Sequence, residues 1–404
     1  MGARKTLIDL FAGAGGLSKG LTDAGFDPLY ANEYISQYAG TYSKNHPSTW
    51  VDSRDIRNVR AADVRQQLGI AVEELDLLAG GPPCQGFSVN APVRSTEDRR
   101  NHLFNDYLKF AAEFRPKLVL IENVPGLVSF DGGATLEAIL VELAKLEYEP
   151  HVNIMYAPHF GVPQTRWRTI VLASRMDLRL EDDLFPIAQR SAPARVNFTS
   201  SHRKRNLVRM PVDQLLPGHT TIEEAIADLP RIENGERLPD GSSYRTEPRS
   251  EYQSRMRYRS NGVFNHQTTR LSQTNLRRLS FIPEGGNWTD IPVELLPAGM
   301  ARAHRSDHTK RYGRPRPTDL ASTILTKCDP HWGAYFHYSQ DRIFTVREAA
   351  RLQSFPDDYV FAGSMSDQYA QVGNAVPPLL AEAIGKSLLK ALSPASSGST
   401  RIAS

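Results

Sequence analysis

The sequence predicts an α/β protein with a doubly wound, mostly parallel sheet and a second, smaller, loop-rich domain. Over the first 175 residues, short apolar runs alternate with segments of helical periodicity, the pattern of βαβ units. From about residue 185 the alternation gives way to a region rich in Pro, Gly, Arg, Ser and Asn. A chain of 404 residues is long enough for two domains of ordinary size.

The elements follow from the same periodicities. Six strands are predicted, at 5–10, 28–32, 49–51, 75–79, 117–121 and 169–173. Early helices are predicted where apolar residues recur at helical spacing, namely Leu17, Leu21 and Ala24, and then Leu136, Ile139, Leu143 and Leu146. Short ordered pieces are expected at 221–229 and 274–282, and helices return at 345–353 and 378–392.

Composition narrows the functional classes. Two cysteines cannot form a disulfide framework, and without a Cys/His cluster we expect no metal. No apolar run approaches the roughly 18 residues of a membrane span, and the start lacks a secretory signal, so we expect a soluble, cytoplasmic protein without a membrane partner. The net charge is only +3, yet residues 191–320 carry 21 Lys and Arg against 14 Asp and Glu. This local excess indicates a polyanionic partner, although a solvated basic loop would look the same.

A glycine-rich turn joins the first strand to the first helix. It reads DLFAGAGGLS over residues 9–18, and such turns bring backbone amides and a helix N-terminus to a nucleoside cofactor. The turn alone fits NAD, FAD or S-adenosylmethionine, but Ser18 breaks the GxGxxG pattern of dinucleotide sites. Glu33 ends the next strand, where an acid can hold ribose hydroxyls, and Asp55 and Ile56 follow the third, where they could meet an adenine.

One cysteine lies in a rigid turn directly after a predicted strand. Residues 80–88 read GGPPCQGFS, and the turn carries Cys84. A free cysteine is most often a small buried apolar residue. However, Glu122 ends a neighbouring apolar strand, and the carboxyl ends of parallel strands line one crevice. A thiol and a carboxyl group converging there would suit covalent catalysis assisted by an acid.

Two arginines precede the last predicted strand. Arg166 and Arg168 are two residues apart on an extended segment, so their side chains should point the same way. They could clamp one anion or polar group, or they could be ordinary surface arginines.

Eight motifs together resemble the DNA (cytosine-5) methyltransferase family. They occur in the family's order between residue 6 and about residue 390, with 185–310 outside the strong match: DLFAGAGGLS, Glu33, GGPPCQGFS, RNHLF at 100–104, ENVPG at 122–126, QTRWR at 164–168, RPTDLASTIL at 316–325 and QVGNAVPP at 371–378.

The resemblance implies a reaction and its residues. Cys84 would add to C6 of a cytosine flipped out of the duplex, and Glu122 would protonate or hydrogen-bond N3. The activated C5 would then take a methyl group from S-adenosylmethionine, leaving S-adenosylhomocysteine. Arg166 and Arg168 would hold the cytosine carbonyl and order the catalytic loop.

The resemblance also assigns a cofactor site and a domain layout. The implied cofactor contacts are Phe11, Gly13, Gly15, Leu17, Glu33, Asp55, Ile56, Pro82, Leu103, Asn374, Ala375 and Val376. The catalytic domain would span 1–184, a target-recognition domain 185–315, and a C-terminal part 316–392 would return to the catalytic domain before a disordered tail at 393–404. The fold would be that of S-adenosylmethionine-dependent methyltransferases.

The implied partner is double-stranded DNA, read by a monomer. DNA contacts are predicted at Gln85, Ser88, Arg203, Lys204, Arg205, Arg255 and Arg257. With no regulatory domain before the catalytic one, a bacterial restriction-modification enzyme is favoured, with a cognate endonuclease that shares the site without stable association. Methylation of transfer RNA, a non-catalytic DNA-binding relative and a nicotinamide-dependent oxidoreductase are the alternatives.

Overall fold

The computed structural model describes residues 4–83, 103–178, 180, 183–194, 207–208, 210 and 215–393. Six predicted site residues lie outside the described residues: Cys84, Gln85, Ser88, Arg203, Lys204 and Arg205. The predicted tail lies outside them from residue 394 onward.

A seven-stranded sheet forms the centre of the first part of the chain. Its strands are β1 (Lys5–Leu10), β2 (Phe26–Asn32), β3 (Trp50–Asp52), β4 (Leu77–Gly80), β5 (Leu118–Asn123), β6 (Tyr148–Tyr156) and β7 (Trp167–Arg175). They lie in the order β3-β2-β1-β4-β5-β7-β6, with β1 to β5 parallel and β7 antiparallel to both of its neighbours. The predicted fold class is confirmed.

Helices cover both faces of the sheet and continue into the second part of the chain. In the first part they are α1 (Gly16–Ala24), α2 (Ser36–Asn45), α3 (Ala61–Leu68), α4 (Leu103–Phe114) and α5 (Ala134–Lys145). The second part contains α6 (Ile222–Ile226), α7 (Glu251–Arg257), α8 (Gln273–Leu279), α9 (Ala298–Ala301), α10 (Val346–Leu352), α11 (Met365–Asn374) and α12 (Pro378–Ala391). No helix within the described ranges is both long and apolar enough to cross a membrane.

The sequence prediction missed β6. This strand alternates buried and exposed residues at its start and carries Pro150, which lacks an amide donor. Both features are typical of an edge strand, and β6 lies at the edge of the sheet beside β7. The apolar alternation of Tyr148, Val152 and Ile154 was the available signal.

The C-terminal helix returns to the sheet and packs on α1. A Cβ on Gly20 of α1 would lie 2.2 Å from the carbonyl oxygen of Pro378, and one on Gly385 of α12 would lie 2.7 Å from Cβ of Ala24. Both glycines therefore permit close contact between the helices. One apolar core includes Leu21 of α1, Ile226 of α6 and Ile384 of α12. This core therefore joins the first part of the chain to the loop-rich region and to the C-terminal helix.

Candidate active site

The carboxyl ends of β1 to β5 open into one cavity of about 580 Å³. The antiparallel direction of β7 brings its first residues, rather than its last, to this edge of the sheet. Thr169 pairs with Asn123 and Ile170 with Glu122, which places Arg168 beside the end of β5. The topology thus explains how residues at the start of β7 meet residues at the end of β5.

The turn after β1 forms one side of the cavity. Phe11 lines the cavity and has φ of 58°, a conformation that non-glycine residues rarely adopt. Such strain is typical of functional turns. Gly13 also lines the cavity, whereas Gly15 does not: a Cβ there would lie 2.5 Å from the Tyr359 hydroxyl. Gly15 therefore permits packing behind the turn.

Glu33 ties this turn to the segment after β2. Its carboxylate accepts hydrogen bonds from the backbone N–H of Gly13 at 2.9 Å and of Ile35 at 2.8 Å. Burial raises the pKa of Glu33, while the two amide hydrogen bonds act in the opposite direction. The carboxylate is thus held at the cavity wall by two elements at once.

Residues after β3 form a further wall. Asp55 and Ile56 line the cavity beside Arg57. Asp55 accepts hydrogen bonds from the Arg57 backbone N–H at 3.0 Å and from its guanidinium, and this arginine lowers the pKa of Asp55. Ile56 is buried, with 4% of its surface exposed.

A buried carboxyl group lies at the floor of the cavity. Asp9 is fully buried, and its Oδ2 accepts a hydrogen bond from the Ser18 hydroxyl at 2.6 Å. Ser18 in turn accepts from the Tyr42 hydroxyl at 2.7 Å. Oδ1 of Asp9 has no hydrogen-bond partner among the described residues. Burial raises the pKa of Asp9 to about 7.

The two glycines before the proline pair allow a close approach between neighbouring strands. A Cβ on Gly80 would lie 2.5 Å from the Leu10 carbonyl oxygen, and one on Gly81 would lie 3.1 Å from Oε2 of Glu122. Asn123 donates to the Pro82 carbonyl oxygen at 3.1 Å, which fixes the turn against the end of β5.

Glu122 and Arg168 form a buried ion pair at this cavity. Arg168 Nε lies 2.5 Å from Oε1 of Glu122, and each side chain is 11% exposed. Burial lowers the pKa of Arg168, while Glu122 raises it. Because Oε1 is held by Arg168, Oε2 is the oxygen that faces the Gly81 turn.

Arg166 has different partners from Arg168, and the expectation that the two side chains clamp one group stays a prediction. The Arg166 guanidinium does not line the cavity and donates to the carbonyl oxygens of Ile324 at 3.1 Å, Gly373 at 2.8 Å and Ala375 at 2.9 Å. Burial lowers its pKa, and Arg168 adds to the effect. Arg166 therefore fastens the C-terminal segment to the start of β7.

Of the predicted cofactor contacts, all except Gly15 line the cavity: Phe11, Gly13, Leu17, Glu33, Asp55, Ile56, Pro82, Leu103, Asn374, Ala375 and Val376. The sequence reasoning missed other lining residues, including Asn32, Tyr34, Tyr38, Arg57, Asn123 and Gln371. Tyr34 and Arg57 adjoin predicted residues, and that adjacency was the available signal.

The two described DNA candidates engage carboxylates of their own chain. Arg255 forms an ion pair with Glu382 on α12. Arg257 lies 3.4 Å from the Asp228 carboxylate, and its guanidinium stacks 3.8 Å from the centre of the Tyr244 ring. Their part in DNA binding stays a prediction.

The cavity suits a nucleoside ligand. It offers an aromatic ring at Phe11, carboxylates at Glu33 and Asp55, and backbone of the Gly13 turn, a mixture of apolar walls and a few polar groups that is typical of ligand sites. Among the described residues, no group of three or more His, Cys, Asp and Glu side chains could hold a metal ion.

Comparison with known proteins gives the family. Residues 5–390 match the model of the family described as C-5 cytosine-specific DNA methylase. The chain belongs to this family. The match spans the sheet, the loop-rich region and the returning helix, so the family predicted from the eight motifs is confirmed, and with it an enzyme of the DNA (cytosine-5)-methyltransferase class.

The similar curated proteins of this methylase family include type II methyltransferases. The chain is 31% identical to the type II methyltransferase M.AgeI of Thalassovita gelatinovora, with 96% of this chain and 99% of that protein covered. It is 33% identical to M1.HphI of Haemophilus parahaemolyticus, with 95% and 87% covered. It is also 31% identical to DNA (cytosine-5)-methyltransferase 2 of Arabidopsis thaliana, but covers only 29% of that longer protein.

Solved structures share the fold of this methylase. A prophage-encoded protein of E. coli aligns with a TM-score of 0.71 at 22% identity, over 96% of this chain and 99% of the other. Spodoptera frugiperda DNMT2 aligns with a TM-score of 0.58 at 16% identity, over 95% and 99%. At these identities the likeness concerns the fold alone.

Proposed function

We propose that the chain methylates C5 of a cytosine in a defined double-stranded DNA sequence, using S-adenosylmethionine, as the modification enzyme of a bacterial type II restriction-modification system. One observation carries the proposal. The Glu122–Arg168 ion pair lies in the same cavity as Pro82 and Pro83, and Cys84 directly follows Pro83 in the chain. Family membership and the type II relatives support it.

The cavity residues would bind the cofactor by ordinary contacts. Phe11 and Ile56 offer apolar surface for an adenine, and Glu33 offers the remaining lone pairs of its carboxylate to ribose hydroxyls. Asn374, Ala375 and Val376 would close the other wall. When bound, S-adenosylmethionine supplies an electrophilic methyl group.

The chain's own residues would activate the cytosine. The Cys84 thiolate would form a bond to C6 while protonated Glu122 donates its proton to N3, so that electron density accumulates at C5. After methylation, loss of the C5 proton to solvent would break the C6–S bond and release the Cys84 thiolate. Return of the N3 proton to Glu122 would restore neutral 5-methylcytosine and the starting form of the carboxyl group. Arg168 would hold Glu122 in place through its 2.5 Å ion pair.

Cys328 is poorly suited to that nucleophilic role. It is buried, and burial raises the pKa of its thiol. Because the thiolate is the reactive form, such a cysteine is inert.

Base flipping would deliver the cytosine to the cavity. Glu122 lies at the bottom of a sheet-edge crevice and is 9% exposed, so a base still stacked in a duplex could not reach it. In this proposal the DNA lies across 185–315 and the mouth of the cavity. Monomeric action and a cognate endonuclease without stable association belong to the same proposal.

Bisulfite sequencing of DNA from a host that expresses the chain tests this function. We expect 5-methylcytosine at one short sequence with the wild type, and none above background with Cys84→Ser or Glu122→Gln. Cys328→Ser is the matched control and should leave the pattern intact. Unmethylated host DNA with the wild type, or full methylation with Cys84→Ser, would count against the proposal.

Two further measurements address the alternatives. Binding of S-adenosylmethionine rather than NAD by the purified protein would exclude the oxidoreductase reading. Methyl transfer to duplex DNA but not to transfer RNA, measured with a radiolabelled methyl group, would separate the two substrates.

A further inference from the structure

We propose that Trp332 is a DNA-stacking residue, positioned beside Arg311 so that its ring packs on a base unstacked from the duplex. The inference rests on the proposed function, which names DNA but assigns no role to this part of the chain. Trp332 lies outside the region predicted to read DNA, at 185–315.

Trp332 is an exposed aromatic side chain in a structured setting. It is 59% exposed, while Trp288 is 1% exposed. The Arg311 guanidinium lies 5.1 Å from the centre of the Trp332 ring, and the His331 ring meets it edge-on at 4.9 Å. The indole is thus positioned by neighbours and still presents most of its surface.

Further aromatic rings and another arginine pack behind Trp332. The Tyr312 ring meets the His331 ring edge-on at 5.9 Å, and the Arg278 guanidinium lies 5.6 Å from the centre of the Tyr312 ring. Tyr312 is buried and its N–H donates to the Pro330 carbonyl oxygen at 2.6 Å. These contacts anchor the exposed indole to the core.

The surroundings of Trp332 favour a polyanion over an apolar protein surface. The adjoining segment 302–311 is almost wholly exposed and carries Arg302, Arg305, Lys310 and Arg311 against a single carboxylate, that of Asp307. Cations beside an aromatic platform are the combination by which proteins bind unstacked bases and their phosphates.

The loop that carries Trp332 is fastened to the segment that holds Gln164 and Arg166. We call residues 323–335 the Trp332 loop. The Tyr335 hydroxyl donates to the Thr323 carbonyl oxygen at 2.7 Å, which closes the loop on itself. Next to that closure, Arg166 donates to the carbonyl oxygen of Ile324, and the Ile324 N–H donates to Gln164 at 3.0 Å.

This closure connects Trp332 to Arg166 through the Trp332 loop. Two residues separate Trp332 from Tyr335, so the Cα atoms of Trp332 and Tyr335 are at most about 11 Å apart. Tyr335 itself contacts the segment that Arg166 holds, two residues from Arg168. A base stacked on Trp332 would therefore rest on a loop that is anchored beside the start of β7.

DNA binding by matched variants tests the inference. The probe is a duplex carrying the site mapped by bisulfite sequencing, with affinity measured by fluorescence anisotropy. We expect Trp332→Ala to bind at least about tenfold more weakly, as for loss of one base–aromatic stack, and Trp332→Phe to stay within about threefold of the wild type. Val141→Ala removes another exposed apolar side chain, on α5 and outside 185–315, and should bind as the wild type does.

The salt dependence separates stacking from charge. Arg311→Ala should reduce the slope of log affinity against log salt by about one, whereas Trp332→Ala should leave the slope unchanged. DNA should also quench part of the wild-type tryptophan fluorescence, and Trp332→Phe should lose that part. Wild-type affinity in Trp332→Ala, or the same quenching in Trp332→Phe, would overturn the inference.

Cofactor affinity keeps this result distinct from a failure of the proposed function. Trp332 does not line the strand-end cavity, so Trp332→Ala should bind S-adenosylmethionine as the wild type does and thereby show that it is folded. A wild-type protein that leaves no methyl mark on DNA would contradict the proposed function itself. A wild type that methylates, with an equally active Trp332→Ala, would contradict only the role of Trp332.

Discussion

At the scale of single residues, Asp9 shows how burial changes a carboxyl group at the cavity floor. Its pKa of about 7 reflects first the loss of hydration, and the Ser18 hydrogen bond only partly offsets this. The folded protein therefore binds this proton more tightly than the unfolded chain does. The stability contributed by protonated Asp9 is full below the unfolded pKa of 3.8 and is lost as the pH rises through about 7.

We expect Asp9→Asn to remove this pH dependence. The free energy of unfolding of the variant minus that of the wild type should increase as the pH rises to about 7, with a slope of up to about 1.4 kcal/mol per pH unit. Above that pH the difference should level off. Urea denaturation of both proteins at several pH values measures the difference. Parallel pH profiles would show that Asp9 does not carry this proton.

At the scale of elements, the contact between α1 and α12 depends on glycine. We expect Gly20→Ala to lower the free energy of unfolding by about 1–3 kcal/mol, because its Cβ would overlap the backbone of Pro378. Gly40→Ala in α2 is the control: no atom lies within 4 Å of its added Cβ, so it should raise stability by about 0.5–1 kcal/mol. Denaturant titration of both variants measures the sign of each change in the free energy of unfolding. Equal changes in the two variants would refute the contact argument.

The start of α10 depends on a buried charge. Glu348 accepts two hydrogen bonds at 2.7 Å from Arg342 and one from the Thr345 N–H at 2.8 Å, with all three residues at most 1% exposed. Burial acts to raise the pKa of Glu348, but the charge of Arg342 outweighs this effect and holds that pKa well below its usual value.

We expect Glu348→Gln to destabilise the fold by about 3–5 kcal/mol, since Arg342 would be left as a buried charge without its partner. The capping box of α6 provides the control, because Thr221 and Glu224 have the same arrangement at an exposed site. Glu224→Gln should cost less than about 1 kcal/mol, since glutamine can also close a capping box. Thermal unfolding of the two variants measures the loss of stability in each. Similar losses in both would mean that the charge of Glu348 is unimportant.

At the scale of the whole molecule, Arg166 joins segments that are far apart in sequence. Its guanidinium holds the carbonyl oxygens of Gly373 and Ala375, which flank Asn374 in the cavity wall, and that of Ile324 at the base of the Trp332 loop. It is thus a positioning residue for both.

We expect Arg166→Lys to weaken S-adenosylmethionine binding about tenfold, because lysine cannot reach three carbonyl oxygens at once and the cavity wall would shift. Arg175→Lys at the other end of β7 also loses a hydrogen bond to a backbone carbonyl, the partly buried one to Arg115. It should lower the melting temperature without changing cofactor affinity. Isothermal titration measures the loss of cofactor affinity, and thermal unfolding measures the loss of stability. Unchanged cofactor affinity in Arg166→Lys would refute the positioning role.

Sequence patterns alone predict six of the seven strands in their order and the residues at the ends of the parallel strands. Apolar periodicity and glycine turns are local signals, and a parallel sheet brings every strand end to one edge. Glu33, Asp55 and Glu122 could therefore be predicted to meet from chain position alone. The family, too, could be predicted from motifs spread along the chain.

Which of these groups face the cavity and which pack against other parts of the chain depends on the tertiary structure. Arg166 and Arg168 look equivalent in sequence, but the antiparallel direction of β7 and the returning C-terminal segment give them different partners. Likewise Gly15 faces Tyr359, and Arg255 finds Glu382 across the fold. These pairings depend on contacts between segments hundreds of residues apart, and no local pattern in the sequence encodes such contacts.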